Sequence, residues 1–248
     1  MKRILATIIV AAGVTAAFAQ TSTSSAAAAA PPKPKWESSA SLGVTLTRGN
    51  SDTTLFTVKG LTDRKDNVNE FSLGADAAYG ANNGVENAES LHGFGQWDHL
   101  FSDKFFGYVR VEGLHDGIAD IRYRALVGPG AGYYLLKGTN TTLAAEAGGS
   151  MVFERLGAKD SSYATIRLAE HFEHKFAAHG VRVWQKAEIL PQVDDFKNYI
   201  VNAEVGVETS IAKNLSLQTY LDDSYANQPA PGRQKNDVKL VSAISYKF

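Results

Sequence analysis

Apolar residues fall at alternate positions along most of this chain. Val238, Leu240, Ser242, Ile244, Tyr246 and Phe248 form the final run, and Ile121, Tyr123, Ala125, Val127, Ala131, Tyr133 and Leu135 form the clearest one. A period of two marks a β-strand with one greasy and one polar face. About twelve such runs of roughly 10–14 residues can be read, the length a tilted strand needs to cross a bilayer. The pattern predicts an all-β fold: a closed antiparallel transmembrane β-barrel over residues 36–248, with both termini in the periplasm. The fourth run, around 88–100, is ambiguous in phase.

Aromatic residues gather near the predicted strand ends: Trp36, Phe71, Tyr79, Tyr133, Phe153, Tyr199, Tyr246 and Phe248. This matches the aromatic girdles at the two membrane interfaces. Connections near 65–69, 101–104, 137–140, 175–180 and 212–214 read as short and polar. Those near 81–88, 155–162, 193–197 and 226–235 alternate with them and read as longer, while 49–52 and 117–120 are short members of this second set. With periplasmic termini, the second set faces outward from the cell. Glu170 falls on the lipid face of the eighth strand, and Pro129 interrupts the sixth. Proline cannot donate to a strand ladder, so a bulge is expected around Gly128-Pro129-Gly130, which would let Tyr133 and Tyr134 exchange faces.

The start of the chain adds a compartment. Lys2 and Arg3, the apolar run to Phe18 and the small-x-small Ala17-Phe18-Ala19 read as a cleaved signal peptide over residues 1–19. Residues 20–35 are rich in Ala, Ser, Thr and Pro and predict a disordered spacer. The chain has no Cys, so neither disulfides nor a thiolate metal site is expected. A net charge of −1 gives no electrostatic case for nucleic acid. These features predict an exported protein of the cell outer membrane. Its expected partners are membrane lipid, lipopolysaccharide and the assembly machinery that inserts such barrels, with Tyr246 and Phe248 as the assembly signal.

The polar faces of the strands carry charge of both signs. Arg110, Glu112, Arg122, Arg124, Glu146, Arg167, Lys186, Glu188, Glu204 and Glu208 point to the lumen by phase. Opposite charges on neighbouring strands fix register, and arginine bridges carboxylates with paired hydrogen bonds. Arg110, Glu112, Arg124 and Glu146 are expected to share hydrogen bonds. Two functions fit: a lumen filled by a salt-bridged network, or a narrow pore selecting small solutes or ions by size and charge.

Catalytic signals are weak. An outer-leaflet lipid hydrolase needs a Ser, a His and an orienting acid together. His171 and His174 lie three apart and face opposite sides of a strand, and no Ser stands at a matching position. Gly128-Pro129-Gly130-Ala131-Gly132 is followed by strand-like Tyr133-Tyr134, not by the helix a phosphate-cradling loop requires. Asp194-Asp195 and Asp222-Asp223 offer oxygen ligands for a hard cation, but solvated carboxylates are the ordinary reading. No enzyme, cofactor or metal is expected. A soluble periplasmic barrel binding an apolar ligand is the remaining alternative, and the outward aromatic residues argue against it.

Three stretches carry a family resemblance: Arg48-Gly49-Asn50-Ser51-Asp52-Thr53, Tyr123-Arg124 with Gly128-Pro129-Gly130-Ala131-Gly132-Tyr133, and Lys235-Asn236-Asp237 leading to Ser245-Tyr246-Lys247-Phe248. The chain resembles the salt-induced outer membrane proteins from about residue 36 to its end. The resemblance implies an outer-membrane barrel whose expression follows salt or envelope stress. It implies no reaction, ligand or active site.

Overall fold

The computed structural model describes residues 35–48, 54–82 and 85–248. The expected signal peptide and nearly all of the spacer lie outside these residues, as do Gly49 to Thr53. Twelve strands follow in order: β1 (Trp36–Arg48), β2 (Thr54–Lys65), β3 (Asn69–Asn82), β4 (Val85–Leu100), β5 (Phe105–Asp116), β6 (Ile121–Lys137), β7 (Thr141–Leu156), β8 (Lys159–Phe176), β9 (Val181–Pro191), β10 (Tyr199–Ala212), β11 (Leu215–Ala226) and β12 (Asn236–Lys247). Each pairs antiparallel with its sequence neighbours, and β12 pairs with β1 to close the barrel. At this seam Leu42 stands opposite Ile244, and the Phe248 amide donates to the Ser38 carbonyl at 3.0 Å. Closure leaves no strand edge, which is what a sheet needs to stand in hydrocarbon.

The alternation sorts the side chains. Leu42, Val58, Val111, Leu168, Val205 and Ile244 face outward and are exposed, whereas Phe106, Val152, Leu190 and Val241 face inward and are buried. The barrel has a near end, where β1 starts and β12 finishes, and a far end beyond the other strand tips. Near-end aromatic rings form a chain in which Trp36, Phe71 and Trp97 follow one another at 6.4 Å. Tyr199 stacks on Tyr225 toward the far end, at 5.7 Å. The described strands thus carry an apolar belt edged by aromatics, the exterior of a membrane barrel.

The sixth strand corrects an expectation. Val127 pairs with Met151 and Gly130 with Gly148 in one unbroken register, so no bulge forms at Pro129. Pro129 faces outward, and the ladder to β7 simply lacks pairs at 128 and 129. Tyr133 therefore stays outside and Tyr134 is buried inside. The register shifts lie closer to strand tips, between Leu114 and Asp116, Ile121 and Tyr123, and Tyr134 and Leu136. The glycines serve close approach instead: a Cβ on Gly130 would enter the ring of Tyr108, and one on Gly132 the ring of Phe106. Each ring takes the space that a side chain on the neighbouring strand would fill.

Two far-end connections are shorter than expected. β3 runs to Asn82 and β4 begins at Val85, while β7 runs to Leu156 and β8 begins at Lys159. The longer connections are 192–198 and 227–235, and they join each other: Asn227 Nδ2 donates to the Lys197 carbonyl at 2.7 Å, and Gln228 Nε2 to Asp195 at 3.1 Å. Beneath them, Leu126, Val152, Leu190 and Ile200 form an apolar cluster inside the far end.

Candidate functional site: the charged lumen

Every second residue of a strand must face the lumen, so each polar run contributes a column of inward groups. Arg167 on β8 stands at the centre. Its Nη1 donates to Glu146 at 2.6 Å and to the Tyr108 hydroxyl at 3.1 Å, and its Nε donates to Glu188 at 2.9 Å. Only 7% of its side chain is exposed. Two carboxylates on one guanidinium supply the compensation a buried charge requires.

The network continues on both sides. Gln96 Nε2 donates to the other oxygen of Glu146 at 3.1 Å, and Arg110 Nη1 donates to Gln96 at 3.2 Å. Arg110 also grips Glu112 at 2.7 Å and lies over the Phe94 ring. His92 then stands between Glu112 at 3.4 Å and Asp76 at 2.9 Å. On the other flank Asn202 donates to Glu188 at 2.8 Å and Ser224 to Asn202 at 2.9 Å. One bonded path therefore runs from Asp76 on β3 to Ser224 on β11.

Further groups cross the lumen. Lys59 on β2 donates to Glu204 on β10 at 3.1 Å, and Trp184 Nε1 donates to the same carboxylate at 2.6 Å. At the near end Glu70 accepts the Tyr134 hydroxyl at 3.0 Å and pairs with Lys65 at 2.9 Å. Also there, Glu208 takes Arg182 at 2.6 Å and Lys247. Toward the far end Arg124 bonds Glu154 at 2.6 Å, and Tyr163 donates to Glu154 at 2.9 Å.

Arg110, Glu112, Arg124, Glu146, Arg167, Lys186, Glu188, Glu204 and Glu208 all lie on inward positions. Arg110, Glu112 and Glu146 belong to one path, whereas Arg124 is drawn to Glu154, directly opposite it in register. Arg122 is exposed beside the far-end register shift and joins none of these clusters. Lys186 reaches Glu204 at 3.8 Å yet keeps 45% of its side chain exposed to lumen space. Sequence reasoning missed Lys59, Asp76, His92, Gln96 and Glu154. Lys59 was available from the phase of Val58, while His92 and Gln96 were hidden because β4 places Phe94 inward and Gly93 and Gly95 outward.

Other candidate groups are engaged or divided. His174 faces out to Thr141 at 2.7 Å, and His115 Nδ1 lies 2.9 Å from the Arg122 carbonyl. Asp222 and Asp223, adjacent on a strand, point to opposite faces, and Asp194 accepts Gln192 at 2.7 Å. Among the described residues no three His, Asp or Glu side chains converge as metal ligands.

A solved structure of NanC porin shares this fold, with a TM-score of 0.58 at 6% identity over 84% of this chain and 100% of that one. A KdgM porin structure gives a TM-score of 0.49 at 10% identity over 85% and 99% of the two chains. KdgM porin in complex with disordered oligogalacturonate gives 0.48 at 9% identity over the same shares. No curated protein matches the sequence. A family model described as "Protein of unknown function, DUF481" matches residues 40–248, the whole barrel but for the start of β1, and the chain belongs to that family, known as salt-induced outer membrane proteins.

Proposed function

We propose that this outer-membrane barrel is a non-enzymatic envelope protein whose lumen is largely filled by its own side chains, and that it supports the cell under salt or osmotic stress. The observation that carries the reading is Arg167, whose guanidinium joins β8 to β5, β7 and β9 through Tyr108, Glu146 and Glu188. A cation so held cannot move aside for a solute without leaving two carboxylates unpaired, a cost of several kcal/mol. The near end faces the periplasm in this reading, and the 192–198 and 227–235 loops meet lipopolysaccharide outside. Phe248 and Tyr246 present the assembly machinery with the closing strand. In this reading His92 belongs to the lumen network, its ring nitrogens taken by Asp76 and Glu112.

A second reading, a narrow channel for small ions, is favoured by one observation. Lys186 and Asp76 face the lumen with 45% and 42% of their side chains exposed, so part of the interior is open to water. Conductance of the refolded barrel in a planar bilayer, with heat-modifiable gel mobility as the folding control, separates the two. A folded barrel without discrete steps supports the filled lumen. Steady steps whose ion selectivity changes on charge reversal at Arg110 or Glu146 would replace it with the channel.

A further inference from the structure

The exterior of the barrel is not uniform. On β5 and β6 the outward residues Val109, Val111, Ala125, Val127, Pro129 and Ala131 are all apolar, as acyl chains require. On β8 and β9 Glu170 and Gln185 also face outward, within the apolar belt between Leu168 and Phe172, and Gln185 Nε2 donates to Glu170 at 2.7 Å. On β11 and β12 the outward hydroxyls of Thr219 and Ser242 lie 3.3 Å apart. Between these polar pairs runs a groove of about 460 Å³, walled by Val183, Val205, Val207, Leu221 and Leu240. Gln185 and Thr219 stand among its lining residues.

An acidic group on a lipid face is unfavourable, most of all away from the interfaces. Acyl chains filling the groove would offer Glu170 no donor. The single bond from Gln185 leaves a carboxylate oxygen, an amide oxygen and an amide N–H still directed outward. A surface with an acidic acceptor pair on one flank of a groove and hydroxyls on the other complements itself after a two-fold rotation about the groove, the symmetry of an isologous dimer.

We propose that the β8–β12 exterior is a contact between two copies of this chain. The two-fold axis runs along the groove, the Val205 and Leu221 side chains of each copy meet those of the other, and the Thr219 and Ser242 hydroxyls of each reach the Gln185–Glu170 pair of the other. The inference rests on the barrel standing in a membrane and not on whether its lumen conducts.

The chain has no cysteine, so single substitutions give an unambiguous readout. The refolded barrel carrying Val205→Cys would be oxidised in liposomes beside one carrying Val111→Cys on the opposite wall. The expected result is about tenfold more disulfide-linked dimer from position 205, because a specific contact raises the local concentration of one thiol about the other. Adding Glu170→Leu and Gln185→Leu to Val205→Cys should return cross-linking to the level at 111. Equal cross-linking at both walls, or an unchanged yield after the leucine substitutions, would overturn the proposal. So would native mass spectrometry of the unaltered chain showing a single copy carrying only lipid. Should the leucine variant fail to fold, the comparison of positions 205 and 111 with the native pair in place still decides.

Discussion

Arg167 on β8 donates to the hydroxyl of Tyr108 on β5 at 3.1 Å, and Tyr108 in turn lies against Gly130 and Gly148 on the strands between them. The contact links a lumen-filling charge to the glycines that make room for it. Arg167→Met should therefore destabilise the folded barrel by about 3–5 kcal/mol, because Glu146 and Glu188 lose their shared cation in a site with little solvent. Urea unfolding from lipid vesicles checks this, and a change below about 1 kcal/mol would mean that water already screens the pair.

Gly130 and Gly132 give a second expectation. Gly132→Val should destabilise the barrel by about 1–3 kcal/mol, since its branches occupy the space of the Phe106 ring. Combining it with Phe106→Ala should recover part of the loss relative to the sum of the two changes. Strict additivity of the pair in a double-mutant cycle would contradict direct packing.

Lys59 joins Glu204 across a chord of the lumen, far from it in sequence. Lys59→Met should leave Glu204 with Trp184 and the longer contact to Lys186, at a cost of about 1–3 kcal/mol. In the filled reading the bilayer remains silent after this change. New conductance steps in the variant would identify the chord as the barrier to flow.

Phe248 and Ser38 exchange backbone hydrogen bonds at 3.0 and 3.4 Å, at the end of the β1–β12 seam. Removing Phe248 deletes both bonds and the ring stacked on Tyr246. Assembly into membranes should slow, read as a smaller heat-modifiable fraction at fixed time. Unchanged insertion kinetics would place the signal elsewhere on β12.

In the near-end turn, the amides of Val68 and Asn69 donate to Asp66 Oδ1 at 2.9 and 2.6 Å and hold this carboxyl below the usual range. A depressed folded value means that the contribution is present above the unfolded value and is lost as pH falls through the folded one. A carbon chemical-shift titration in micelles should place Asp66 below the ordinary aspartate value. A midpoint at or above that value would show that the turn bonds do not favour the charged form.

Much of this was legible in one dimension. Alternation placed Leu42, Val111, Val127 and Ile244 outside and Arg110, Glu146 and Arg167 inside, because the face a strand residue takes depends only on parity. Glu170 was legible as an outward carboxylate for the same reason. Parity could not say which inward charges meet. Arg124 was expected to join Arg110 and pairs instead with Glu154, because register, strand tilt and barrel curvature choose partners across a lumen. Nor could it place the Lys59–Glu204 chord, which exists only once β12 has closed on β1 and brought β2 to face β10. The fourth strand stayed ambiguous because an inward Phe94 and outward Gly93 and Gly95 invert the usual contrast; its phase came from its pairing with β3. The sequence by itself determined a barrel with an apolar outside and a charged inside, since that choice is local. The tertiary structure alone decided how those charges neutralise one another, since their partners lie on strands distant along the chain.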